Sequence, residues 1–212
     1  MIIGAMWSSG AVMAAALLVA MSGCGQGTAG TTSTQGPASQ RIQLDADYPS
    51  FPSVLALTSQ ADAVVVGRVT GILSRERDGG ADQPESSGRG IPMVFYQFAV
   101  QEVIKGDVAD RDISVGWIDL SLVTTPDVSA IEKSPAVLLF LEHLTSVDAP
   151  GISTVTDFFV PLGADNGVFD VSGDVATARS RIVQSLGANS AARAALPLSF
   201  TLAEIRGLGP GK

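Results

Sequence analysis

Cysteine is almost missing from this chain. Cys24 is the one such residue among 212. No intrachain disulfide can form, so the fold must rest on its apolar core. Charge is missing from residues 1–40, and Arg41 is the first charged side chain. The formal net charge of −8 is therefore carried entirely by residues 41–212. That balance offers no basic face to a phosphate backbone, which argues against nucleic acid as a partner. It argues equally against a polybasic grip on anionic lipid. Beyond the first forty residues the longest unbroken apolar run is Ala136 to Leu141. A bilayer span needs roughly 20 such residues. Histidine occurs once, as His143, which leaves few routes to imidazole chemistry.

The uncharged start is itself informative. Ala11 to Met21 is an apolar segment of signal-peptide length, followed by Ser22-Gly23-Cys24. An apolar residue, two small residues and a cysteine resemble the lipobox of bacterial lipoproteins. The resemblance implies a signal peptide over 1–23, cleavage between Gly23 and Cys24, and a diacylglyceryl group on the Cys24 thiol. Two acyl chains give the stable anchoring that one chain does not. Two features depart from that family. Met21 stands where leucine is usual, and Met1 to Gly10 holds no Lys or Arg. Gly25 to Gln40 is built from Gly, Thr, Ser, Gln, Ala and one Pro. Such a composition reads as a flexible tether, averaging roughly 20–25 Å end to end. The lipidated cysteine and tether together occupy 24–47.

The remainder, 46% hydrophobic over the whole chain, is too apolar to stay unfolded. Ser53 can cap a short helix from Val54 to Ser59. Strands are expected at Ala63–Leu73, Met93–Ile104, Asp112–Leu120, Ala136–Leu141, Thr154–Leu162 and Val168–Val171. Gly67 and Gly71 within the first suggest coiling, a bulge or close backbone approach. Ser74 to Pro92 reads as a long polar loop and a candidate contact surface. Asp165-Asn166-Gly167 is the strongest hairpin signal in the chain. Asp174 is expected to cap a helix over Val175–Leu186, stopped by Gly187. Thr201 and Glu204 form a capping box for a last short helix. The resulting class is mainly β: a small coiled antiparallel sheet or OB-like barrel over 48–172, flanked by C-terminal helices in 173–212.

Three segments carry a further resemblance: Ala61 to Val69, Tyr96 to Asp107, and Ala136 to Leu141. Their order resembles a group of secreted and lipid-anchored bacterial proteins. More distantly it is similar to the netrin-type module of tissue inhibitors of metalloproteinases, an OB-type barrel. That module relies on disulfides, which cannot form here. Its free N-terminal cysteine has no counterpart if Cys24 is acylated. Only barrel topology carries over, and topology does not deliver function.

Candidate chemistry is sparse. His143, near Glu142 and Asp148, lacks a second ligand at a zinc-site spacing. A Ser-His-Asp hydrolase would need His143, and no Gly-x-Ser-x-Gly elbow is present. Asp78, Asp82 and Glu85 do not alternate as calcium-loop ligands do, nor do Asp165, Asp170 and Asp174. Gly207 to Lys212 lacks the Ser or Thr of a phosphate loop. Trp117, Tyr96 and Phe98 could stack a ligand, but their alternation fits core packing better.

The expectation is a non-enzymatic binding or interaction module, without cofactor or metal, on the outer face of the bacterial cytoplasmic membrane or on another envelope membrane. Its partners are the membrane, through the diacylglyceryl-cysteine, and an envelope protein; nucleic acid is not among them. The alternatives are an envelope hydrolase built on dispersed carboxylates and a small-ligand carrier. Metabolic labelling with a radiolabelled fatty acid tests the anchor. Wild type should take up label and Cys24→Ala should not; label in the variant would contradict it.

Overall fold

The computed structural model describes residues 41–78, 90–126, 128–145, 154–187 and 197–208. Cys24 and the tether up to Gln40 lie outside them. The described elements run in order: β1 (Ile42–Gln43), α1 (Val54–Gln60), β2 (Ala63–Asp78), β3 (Ile91–Lys105), β4 (Asp112–Ile118), β5 (Val123–Thr124), β6 (Val137–Thr145), β7 (Asp157–Pro161), β8 (Val168–Ser172), β9 (Val175–Ala178), β10 (Ser199–Thr201) and α2 (Leu202–Arg206). Among them no helix is long and apolar enough to cross a membrane.

Five strands close a ring. β2 pairs antiparallel with β3, β3 with β4, β6 with β7, and β6 with β2. A single parallel contact, Val115 beside Phe159, joins β4 to β7 and shuts the circuit. The mainly β class expected from the strand pattern is therefore present, as a closed five-stranded barrel. From β6 the sheet continues outward through β8, β9 and β10.

Strand alternation separates two cores. Ala63 and Val65 of β2, with Val137, Leu139 and Leu141 of β6, point into the barrel. There they meet Val94, Tyr96, Phe98, Ile113, Val115 and Trp117, which fill the interior. Val64, Val66, Leu138 and Phe140 point the other way, against Leu57 of α1, Phe169, Phe200 and Ile205 of α2. β6 is apolar on both faces because both faces are buried. Trp117, Tyr96 and Phe98 are 4%, 6% and 0% exposed, so they pack the core and form no platform.

β2 is irregular along its length. Its pairing with β3 slips register four times, between Val64/Val65, Val66/Gly67, Val69/Gly71 and Ile72/Ser74. A Cβ on Gly67 would collide with the Ala99 carbonyl oxygen and the Phe98 ring. Only glycine lets the two backbones approach this closely.

Caps hold the helices as their sequences specify. The Ser53 hydroxyl accepts from Ala56 N at 3.1 Å. At the other end of α1, Lys105 Nζ donates to the carbonyls of Thr58 and Ala61, both at 2.6 Å. That is a cation on a helix C-terminus, supplied from the far end of β3. The Thr201/Glu204 capping box is present on α2.

Three expectations are corrected. Val175–Leu186 is not a helix: Val175–Ala178 is β9, and the rest makes an isolated bridge, Ser185 with Ser53. Gly173-Asp174 is a two-residue hairpin turn, with Gly173 at φ 62° and Ser172 opposite Val175. Positive φ at the first turn position is what such hairpins demand. Asp165-Asn166-Gly167, by contrast, is no hairpin. It lies in a 3₁₀ turn, Ala164–Gly167, between two strands that follow the same edge of β6. β7 pairs with Leu141 to Thr145 of β6 and β8 with Val137 to Leu139, so the turn is an insert in an interrupted edge. Finally, Ser74 to Pro92 is not all loop. β2 continues to Asp78, which pairs with Ile91, and only residues 79–89 lie outside the described set.

Gly67→Ala tests the close approach. It should cost about 2 kcal/mol through overpacking, measured by urea unfolding. An unchanged midpoint would contradict the geometry.

Candidate functional site

Because the barrel interior is filled, polar chemistry collects at its two mouths. One mouth lies at the start of β2 and β4. The other lies at the far part of β2 and beyond the end of β4.

The first is an acidic cleft of about 490 Å³. Asp62, Asp107, Asp110, His143, Asp157 and Phe159 line it. Antiparallel register sets His143 opposite Phe159, and their rings lie 4.8 Å apart at 30°. His143 Nε2 lies 2.5 Å from Asp157 Oδ1. The His143 amide donates to Asp62 Oδ2 at 2.9 Å, tying β6 to the start of β2. The side chains of His143 and Asp157 are 40% and 71% exposed, so water screens the pair. No three ligating groups among the described residues are placed to hold a metal ion. The sequence singled out His143; it did not foresee that four aspartates from separate elements would converge around it.

The second mouth is a cleft of about 520 Å³. Arg41, Arg75, Tyr96, Asp119, Glu132 and Lys133 supply its functional groups. Asp119 is 3% exposed, an unusual place for a charge. Its Oδ1 accepts from the Ser121 amide at 3.0 Å and hydroxyl at 2.5 Å, and its Oδ2 from Arg75 Nε at 3.0 Å. Burial alone would raise the Asp119 pKa. The bonds from Ser121 and the Arg75 charge outweigh it and hold the carboxyl below its ordinary value. The Tyr96 hydroxyl donates to Glu132 Oε2 at 3.0 Å. Burial first, and the Glu132 charge second, push the phenol above its usual range, so it remains a donor.

Behind this mouth sits a polar network that the sequence did not reveal. Arg179, its side chain 9% exposed, donates from Nε and Nη2 to Asp170 Oδ1 at 3.0 and 2.8 Å. It also reaches the Ser134 and Ser129 hydroxyls and the Ala130 carbonyl. Asp165 Oδ1 accepts from the Ser129 amide and hydroxyl at 2.9 and 3.0 Å. The Trp117 indole donates to Ser129 O at 3.0 Å. Arg179 thus pins Ser129, Ala130 and Ser134 to Asp170 of β8. No local spacing announces it, because its partners are 9 to 50 residues away.

The other sequence candidates do not assemble. Asp165 and Asp170 serve Ser129 and Arg179, and Asp174 sits in the hairpin turn. Asp78 pairs at the end of the β2–β3 hairpin, while Asp82, Glu85 and Asp148 lie outside the described residues, as do 209–212. Glu142 is exposed on β6, opposite Val160. No protein-family model matches the chain, and no curated protein matches it either.

Asp170 behaves like Asp119. Burial would raise its pKa, but bonds from Arg179 and Ser134, then the Arg179 charge, hold it below the ordinary value. A depressed folded-state pKa stabilises fully above the unfolded value, about 4, and is lost as pH falls through the folded one. Unfolding free energy should therefore drop below about pH 4. Asp170→Asn should show a smaller drop, since it has no proton to take up there. Equal acid sensitivity in both proteins would contradict this.

Proposed function

We propose that the chain is a lipid-anchored binding or interaction module, held at Cys24 on the outer face of the bacterial cytoplasmic membrane. The lipobox-like leader and the uncharged tether support the anchor. The observation that carries the binding reading is the filled barrel: its polar clefts lie at the two mouths, so contacts are made through the rims. A carrier that stores its ligand inside the barrel would need a cavity of several hundred Å³ where Phe98, Trp117 and Leu139 now pack. The netrin-type resemblance adds no site residue.

The carboxylate hydrolase remains the second reading, because Asp62, Asp107, Asp110 and Asp157 line one cleft with His143. Paired carboxylates can run acid–base chemistry. A general acid works best in a dry setting, however, and Asp157 is 71% exposed.

Crosslinking of the full chain in intact cells, followed by assays on purified envelope polymers, separates the two. A saturable envelope partner without turnover is expected. Polymer cleavage by wild type that disappears in Asp110→Asn and Asp157→Asn would overturn the binding reading.

A further inference from the structure

The mouth around Asp119 concentrates cations in a chain whose net charge is −8. Arg41, Arg75 and Lys133 face one cleft, together with Asp119 and Glu132. Among the described residues, three cations against two carboxylates leave one positive charge in excess. Both carboxylates are also occupied. Asp119 is satisfied by Ser121 and Arg75, and Glu132 accepts from Tyr96. Two of the three cations are not. Arg41 and Lys133 are exposed and make no ion pair among the described residues.

Arg75 is held in a way that leaves its business end open. Its Nε is bound to the buried carboxylate of Asp119, while its side chain is 54% exposed. Nη1 and Nη2 make no hydrogen bond among the described residues. A planar guanidinium fixed by one edge offers its other donors as a fork to an oxyanion. Asp119 is in turn fixed by the Ser121 amide and hydroxyl, so the fork is oriented by a buried and fully bonded group. Thr124, Thr125 and Ser129 add polar wall. The cleft, about 520 Å³, has the size of a small-molecule site.

We infer that this mouth binds a small hydroxylated ligand through one singly charged oxyanion, a carboxylate or a phosphodiester. The single excess positive charge matches a monoanion. The same chemistry occurs in two envelope sources: sugar acids, and the head group of an anionic glycerophospholipid. This inference deepens the binding-module reading and rests on it. It does not depend on the anchor.

Isothermal titration of the detergent-solubilised full chain tests it, with glucuronate and glycerophosphoglycerol as probes and glucose and glycerol as uncharged controls. At least one anion should bind, and neither control should. Lys133→Gln should weaken that binding by about tenfold, the scale of one lost charge-assisted bond. Arg75→Lys, which keeps the charge and loses the fork, should weaken it comparably. Asp174→Asn, in the exposed turn between β8 and β9, should leave it unchanged. Lys133 makes no ion pair among the described residues, so its variant is informative even if changes at Arg75 disturb folding. Binding of glucuronate alone points to sugar acids, of glycerophosphoglycerol alone to lipid head groups, and of both to selection by charge. No binding of either up to about 10 mM, or equal binding in wild type and both cleft variants, overturns the inference. An envelope partner still captured by crosslinking would then leave the broader binding reading in place.

Discussion

Everything in this domain depends on one shared wall, the pair β2–β6. A closed barrel needs one face of each strand for its interior. The layer of helices and hairpins outside needs the other face. Val65 and Leu139 serve the barrel, while Val64, Val66, Leu138 and Phe140 serve the outer core. With no disulfide possible, burial on both sides of this wall is what offsets the entropy of ordering the chain. The run Val137 to Leu141 is apolar without interruption for that reason, and no polar residue could stand there without a partner.

The wall was legible because it is written in two unbroken apolar runs, Ala63 to Val66 and Ala136 to Leu141. So were the Ser53 and Thr201 caps, each set by residues within four positions of one another. Gly67 and Gly71 announced irregularity, and the register does slip beside each of them. The failures came where one local signal could mean two things. Val175, Ala178, Ile182 and Leu186 have helical spacing, yet the first four residues of that stretch pair as a strand after Gly173-Asp174. Asn166-Gly167 has hairpin composition, but Gly167 answers a different need. A Cβ there would lie 3.0 Å from Leu162 N and 3.1 Å from Phe140 O, where the interrupted edge folds back on β6. Ser74 to Asp78 looked like loop because it is polar. Backbone pairing with β3 does not require apolar side chains, so composition could not show it.

The mouths were barely legible, and the reason is sequence separation. Arg75 meets Asp119 across 44 positions, Tyr96 meets Glu132 across 36, and Arg179 meets Ser129 across 50. Barrel closure brings these groups together, and closure is a property of the whole sheet. The sequence did carry one local hint, Asp119 two residues before Ser121, a spacing at which an aspartate can fold back on the backbone. The functional picture rests on the same geometry. A ring too full to hold a ligand presents its charged groups at its ends, acidic at one and with cations in excess at the other.

Native-state hydrogen exchange on the full chain tests the shared wall most directly. Amides of β6 and of β2 from Ala63 to Gly67 should exchange slowest of all, opening only when the domain unfolds as a whole. The outer ends of β2 and β3, Ser74–Asp78 and Ile91–Phe95, and the β9–β10 edge should open at lower cost. If the β6 amides exchanged as readily as that edge, the two cores would not share a wall, and the account of how this chain holds itself together would be wrong.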